Sequence, residues 1–215
     1  MIDEAPYDPV AASQALAQAD PVLGDAIARI GPPEILFGYK RGRGRTVFAS
    51  VLRSVVYQQL SGKAAGTIYG RVLALFPDGL PTADALLALD PDTLRGAGLS
   101  RAKTAAAFDL AQKTVAGDLP DAAALAQMDD AEVERRLVAV RGVGPWTAQM
   151  VMLFDLGRPD VWPTGDLGVR RGVQVLDGLA ELPDTSYLEG RAVVWKPWRS
   201  VAAWYLWRVA DGKGG

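Results

Sequence analysis

From Thr46 to Leu60, the apolar residues Val47, Phe48, Val51, Leu52, Val55, Val56 and Leu60 recur three and four positions apart. That spacing predicts an amphipathic helix with a wide buried stripe. Ala65, Ile68, Val72 and Leu75 continue the pattern over Gly62–Phe76, and Pro77-Asp78-Gly79 ends it. Short helices are predicted at Thr82–Leu89 and Pro91–Gly96, and a longer one over Arg101–Val115. Asp129-Asp130-Ala131-Glu132 has the spacing of a capping box that opens a helix through Val140. Pro145 sits at a first helical position and opens a helix running to about Asp155. Further helices are predicted at Asp166–Leu176 and Pro197–Ala210. The one strand-like run, Ala192-Val193-Val194-Trp195, is too short to build a sheet and is assigned to a helix or the approach to one. The expected fold class is therefore all-α, in one domain with no visible linker. Gly96-Ala97-Gly98 and Gly142-Val143-Gly144, each ahead of a helix, form a weak internal echo.

Composition narrows the chemistry. The chain has 215 residues, 49% of them hydrophobic and 22% charged, which suffices for a sizeable core. It contains no cysteine. Disulfides, zinc-thiolate sites, cysteine-ligated iron–sulfur clusters and thiol nucleophiles are thereby excluded. It contains no histidine either, which removes the commonest general base and metal ligand. Catalysis falls to carboxylates, Lys, Tyr, Ser/Thr or backbone groups. No apolar run reaches transmembrane length, and Met1-Ile2-Asp3-Glu4-Ala5-Pro6 lacks the basic and apolar regions of a signal peptide. A cytoplasmic protein with no membrane partner is expected. The net charge of −2 counts against a nucleic-acid partner. Phosphate contacts need only local positive charge, however, and Lys40, Arg41, Arg43 and Arg45 cluster, as do Arg170 and Arg171. Taken alone, such clusters read better as solvated loops or helix faces.

The most informative segment is Leu137-Val138-Ala139-Val140-Arg141-Gly142-Val143-Gly144-Pro145-Trp146-Thr147-Ala148. It reads as a helix, a tight Gly-X-Gly turn and a second helix. Glycines permit positive φ and close approach, and the following helix directs unpaired N–H groups and its positive dipole end into the turn. That geometry suits a phosphate, with the Thr147 hydroxyl as a further contact. On its own, a bare Gly-X-Gly reads better as a helix–helix turn with a glycine C-cap. The whole segment, though, resembles the helix-hairpin-helix of DNA repair glycosylases.

Other blocks carry the resemblance further, in family order from about Thr46 to Arg208. They are Gln58-Gln59-Leu60-Ser61, Gly98-Leu99-Ser100-Arg101-Ala102-Lys103, Val161-Trp162-Pro163-Thr164-Gly165-Asp166-Leu167-Gly168, and Trp195-Lys196-Pro197-Trp198-Arg199-Ser200 followed by Tyr205-Leu206-Trp207. The last is similar to the C-terminal helix of the 3-methyladenine DNA glycosylase II, or AlkA-type, family. The resemblance implies a two-lobed helical fold with the active-site cleft between the lobes, in a short form without the N-terminal sheet domain of longer members. Lobe one is expected at about 51–160, lobe two at about 1–50 plus 161–215, and the hairpin at 137–155.

The implied activity is hydrolysis of the N-glycosidic bond of alkylated bases, such as 3-methyladenine and 7-methylguanine, in duplex DNA. Cleavage passes through a sugar with oxocarbenium character, which a nearby carboxylate stabilises. The resemblance selects Asp166 for that role. Local chemistry alone makes Asp166 the N-cap of the following helix, and the two roles are compatible. Bifunctional members carry a Schiff-base lysine where this chain has Trp146, and the hairpin holds no lysine, so strand cleavage is not expected.

Trp146 and Trp207 match the family's base pocket, where indole attracts a cationic base, and Met150 stands at the position of a pocket tyrosine in some relatives. For tryptophan the ordinary alternative is a core residue. Gln59 and Leu60 fall where the family wedges the duplex open, although Leu60 also fits the apolar stripe as core. Gly142, Gly144, Thr147, Arg101, Lys103 and Arg170 complete the expected DNA contacts. The backbone carbonyls of Val138, Val140 and Val143 match a monovalent-cation site, Na⁺ or K⁺, and rest on the resemblance alone. No organic cofactor, zinc or iron–sulfur cluster is expected. The partner is double-stranded DNA with damaged bases, acted on by a monomer, in a cytoplasmic protein that is nucleoid-associated if bacterial. Three alternatives stay open: a non-catalytic hairpin module, a glycosylase for oxidised or deaminated bases, and an unrelated helical interaction protein.

Overall fold

The computed structural model describes residues 7–33 and 46–212. The basic cluster Lys40, Arg41, Arg43 and Arg45 and the Met1–Pro6 start lie outside the described residues. Among the described residues all regular structure is helical, in thirteen α-helices. They are α1 (Pro9–Ala19), α2 (Pro21–Ile30), α3 (Val47–Tyr57), α4 (Gly62–Leu73), α5 (Ala83–Leu87), α6 (Pro91–Gly96) and α7 (Arg101–Ala116). There follow α8 (Ala122–Ala126), α9 (Asp130–Val138), α10 (Pro145–Met150), α11 (Leu167–Leu176), α12 (Thr185–Arg191) and α13 (Arg199–Ala210). Short 3₁₀ segments lie at Pro77–Gly79 and Ala192–Trp195, and a π-helical segment, Val151–Asp155, continues α10. No helix among the described residues is long and apolar enough to cross a membrane.

The helix starts are set by side-chain caps. Asp8, Asp20, Thr46, Ser61, Thr82, Asp90, Ser100, Asp121, Asp129, Asp166 and Asp184 each accept a first-turn N–H of the helix that follows. Each such bond satisfies a donor that has no partner within its helix, and contributes about 1 kcal/mol. Half of the expected capping box forms: Asp129 Oδ1 accepts from Glu132 N at 2.8 Å. The Glu132 carboxylate reaches forward to Arg135 and Arg136.

Several boundaries differ from those the pattern predicts. The Gly62–Phe76 helix stops at Leu73, and its end tightens into i→i+3 turns at Leu75 and Phe76. The α-helix opened by Pro145 gives way at Val151 to the wider π turn. Helix α13 begins at Arg199, not Pro197. Ala192–Trp195 is a single 3₁₀ turn. Helices α1, α2, α8 and α12 were not marked by the apolar pattern.

The described residues fall into two compact units, one within Arg41–Val151 and the other within Ile2–Lys40 and Met152–Gly215. In the first, α3 packs on α7. Val51, Leu52, Val55 and Val56 of α3 and Ala106, Ala107, Leu110 and Ala111 of α7 are buried. The alanines keep α7 slim enough for close approach. In the second unit α13 is buried on nearly every side and packs against α11, α2 and α1. A Cβ at Gly172 of α11 would collide with the Leu206 backbone of α13, so the two helices meet at a distance only glycine allows.

Candidate active site

In the first unit the hairpin joins α9 to α10. Gly142 adopts φ 76, a region disfavoured for residues with a side chain, so the turn requires glycine there. Gly144 is extended (φ −94, ψ 173) and serves as the N-cap of α10 without a side-chain cap bond. The notion that both glycines supply positive φ is thus corrected: only Gly142 does. Two side chains from distant helices hold the turn. Gln58 Nε2 donates to the Gly142 carbonyl at 2.9 Å and to Thr147 Oγ1 at 3.2 Å. Asp109 Oδ2 accepts the Arg141 N–H at 2.7 Å, while its Oδ1 pairs with Lys113 at 2.9 Å. Burial pushes the Asp109 carboxyl up, but the Arg141 N–H and the Lys113 ammonium outweigh it and hold the group below its ordinary value.

Three of the expected DNA ligands make contacts within their own unit. The Thr147 hydroxyl is buried and accepts from Gln58 Nε2. Lys103 turns inward, donating to the Val56 and Gln58 carbonyls at 2.8 and 2.7 Å. Those carbonyls end α3 and lack helical partners, so they attract the ammonium more strongly than solvent does. Burial lowers the pKa of Lys103. In the second unit Arg170 donates Nε to the Pro183 carbonyl at 3.1 Å, tying α11 to the segment before α12. Arg101 and Gly142 are exposed.

The α3–α4 turn carries Gln59 at φ 55, a costly conformation for a residue with a side chain. Leu60 beside it is 39% exposed. The core reading of Leu60 is thereby overturned, since a core leucine would be fully enclosed. At the hairpin Trp146 is 48% exposed, Met150 is half-buried and Val138 is exposed, while the Val140 and Val143 side chains are buried. The Val140 carbonyl accepts the Val143 N–H at 3.0 Å.

In the second unit Asp166 is half-buried at the N-cap of α11. Its Oδ1 accepts from Val169 N and from Trp207 Nε1, both at 2.8 Å. Catalytic candidate and helix cap are therefore the same carboxylate. Phe154, carried by the π segment, stacks on Trp207 with ring centroids 5.5 Å apart and planes 22° apart. A π turn inside an α-helix re-aims the residues that follow it, and such turns recur at functional sites. The loop that leads to Asp166 is anchored to the start of α13. Asp160 grips Arg199 in a two-pronged ion pair at 2.7 and 2.9 Å. Ser200 Oγ donates to the Arg158 carbonyl at 2.6 Å and accepts from Val161 N at 2.9 Å.

The structure thus joins Asp166 to Trp207, and Gly142 to Thr147 through Gln58. The residue types and spacing did not single out Gln58, Asp109, Phe154 or Gly168 as site residues. Only Gln58 and Gly168 fell inside a block that the resemblance had marked.

Residues 52–199 match the model of the HhH-GPD superfamily of base excision DNA repair proteins. The chain is 32% identical over 164 residues to DNA-3-methyladenine glycosylase 1 of Schizosaccharomyces pombe, spanning 76% of this chain and 72% of that one. Among solved structures, it is similar to the DNA-3-methyladenine glycosidase of Bacillus halodurans, with a TM-score of 0.83, 32% identity, and coverage of 97% and 90% of the two chains. It is also similar to the S. pombe 3-methyladenine DNA glycosylase in complex with abasic DNA, with a TM-score of 0.81, 28% identity, and coverage of 92% and 95%. Fold, hairpin and relatives agree: the chain belongs to the HhH-GPD superfamily of base excision DNA repair proteins.

Proposed function

We propose that this protein is a monofunctional DNA glycosylase that releases alkylated purines, 3-methyladenine and 7-methylguanine among them, by hydrolysing their N-glycosidic bonds in duplex DNA. The observation that carries this reading is the Asp166 carboxylate, held by the Val169 N–H and the Trp207 indole N–H. An oriented carboxylate stabilises the oxocarbenium character that develops at the sugar and helps direct water to it. An alkylated purine is already cationic and departs as a neutral base, so it needs little help from a general acid. A chain with no histidine suits that demand.

The lack of strand cleavage in this reading rests on Trp146, which stands in the hairpin where a lyase needs an amine. Trp146 is 48% exposed, and attraction between an indole face and a cationic base is worth about 0.5–2 kcal/mol. The uncapped first turn of α10 supports a phosphate contact at the hairpin. A Na⁺ or K⁺ ion on the Val138, Val140 and Val143 carbonyls belongs to the same proposal. The Val140 carbonyl spends one of its two lone pairs on Val143 N, which leaves it able to accept a cation. Leu60, exposed on a strained turn, takes the wedge role. The protein acts as a monomer in the compartment that holds the DNA, the cytoplasm and its nucleoid in a bacterium.

The test compares wild type with Asp166→Asn on methylated duplex DNA, scoring free base and strand nicks without added alkali. Asparagine keeps the helix cap, so the variant retains its fold. Release of methylated purine by wild type alone, without nicking, is the expected result. Equal release by both proteins removes Asp166 from the chemistry, and nicking by wild type refutes the monofunctional assignment.

A further inference from the structure

Gly168 is the second residue of α11 and has no expected role of its own. Its φ is not in the positive region, so its backbone does not demand glycine. Helix propensity favours alanine over glycine by up to about 1 kcal/mol in a helix interior. What keeps alanine out is space. A Cβ at position 168 would lie 2.5 Å from Trp207 Cδ1, 3.0 Å from Trp207 Nε1 and 3.1 Å from Asp166 Oδ1. The space of the missing side chain is occupied by the edge of the Trp207 indole, which donates to Asp166.

We infer that Gly168 is a positioning residue for the reaction, because its bare Cα admits the Trp207 indole edge to the Asp166 carboxylate. The inference rests on the glycosylase reading above and deepens it. Trp207 is held by three contacts: Phe154 on a face, Asp166 at its N–H, and Gly168 along its Cδ1–Nε1 edge. Two N–H donors converge on Asp166 Oδ1, and both help to set the plane of the carboxylate. Withdrawing the indole removes one of them and lets that plane turn. Gly172, one helical turn on, differs in kind. A Cβ there meets the Leu206 backbone, which cannot step aside, so Gly172 serves helix packing. A Cβ at Gly168 meets a side chain, which can swing. Gly168→Ala therefore folds, with Trp207 displaced.

The test is a double-mutant cycle with Gly168→Ala, Trp207→Phe and the double variant. Its readouts are single-turnover base release, DNA affinity and thermal unfolding. Phenylalanine lacks the N–H that reaches Asp166, so moving its ring withdraws no donor. Gly168→Ala is expected to slow base release about tenfold or more, the scale of a modest misplacement of a reacting group. Its DNA affinity stays within about twofold, and in the Trp207→Phe background it costs nothing further, because both changes remove the same contact. A second readout does not depend on activity. The indole N–H resonance lost in Trp207→Phe is expected to move in Gly168→Ala and in Asp166→Asn alike. Additive losses in the cycle, an unmoved Trp207 resonance in Gly168→Ala, or a Gly168→Ala chain that fails to unfold cooperatively each overturns the inference. If wild type releases no base from alkylated DNA, the glycosylase reading fails separately, and the resonance still decides whether Gly168 positions Trp207.

Discussion

Asp109 of α7 receives the Arg141 N–H at 2.7 Å, so a carboxylate on one helix fixes the turn between two others. Gln58 grips the same turn by the Gly142 carbonyl. The hairpin is thus held by one acceptor and one donor from outside it, and its own residues do not have to stiffen it.

Removing that acceptor separates the fold from DNA binding. Asp109→Ala leaves the Arg141 N–H and the Lys113 ammonium without their partner. The expected cost is about 1–3 kcal/mol in urea-induced unfolding, the range for a broken charge-assisted bond. The loosened hairpin is also expected to weaken affinity for undamaged duplex DNA. Unchanged affinity alongside lowered stability would show that the hairpin keeps its shape without Asp109.

Lys103 makes the opposite prediction for a residue first taken as a DNA ligand. Its ammonium sits on the Val56 and Gln58 carbonyls. Lys103→Met is expected to lower the melting temperature and to leave the salt dependence of DNA binding unchanged. A true phosphate contact would instead reduce the slope of log affinity against log salt by about one. Binding titrations at several salt concentrations decide between the two.

These two residues also show where the sequence is legible. Helix α3 could be read from its spacing because large side chains mark its stripe, Phe48, Val51, Leu52 and Val55 among them. Helix α1 could not, because what it buries is Ala12, Ser13 and Leu16, and small residues blur the contrast between faces. Asp166 was doubly marked, by a matched loop and by its fitness as a cap. The roles of Gln58 and Asp109 consist of hydrogen bonds to main-chain atoms 84 and 32 residues away. A main-chain partner leaves no mark on the sequence, so no local pattern announces such a bond. Gly168 is hidden for a related reason: its role is the absence of an atom.

Leu60 offers a clean split between core and wedge. Leucine-to-alanine changes in a core cost about 2–5 kcal/mol. Leu60 is 39% exposed, so Leu60→Ala is expected to cost well under about 1 kcal/mol in thermal unfolding. A wedge that fills the gap left by an extruded nucleotide would still be missed. Base release is therefore expected to fall, most for lesions in stable flanking sequence, where extrusion costs most. Equal rates for Leu60→Ala and wild type across such duplexes would remove Leu60 from the flipping step.

Acid stability should trace to Asp20. It is 5% exposed and accepts from Val22 N, Leu23 N and Trp195 Nε1, and it pairs with Arg191 at 2.6 Å. Burial pushes its carboxyl up, but the bonds from Trp195, Leu23 and Arg191 together hold it below the ordinary value of 3.8. The folded chain therefore keeps this proton off at a pH where the unfolded chain binds it. The stabilisation is complete above the unfolded value and is lost as pH falls through the lower, folded one. Asp20→Asn keeps a cap for α2 but leaves Arg191 with Asp177 alone. It is expected to cost about 3 kcal/mol at neutral pH, as for other broken buried pairs. Stability measured from pH 7 down to about 3 should then fall less steeply in Asp20→Asn than in wild type, because the variant has no proton to take up at this site. Parallel curves would mean that the acid response arises at other carboxylates, with Asp109 the next to replace.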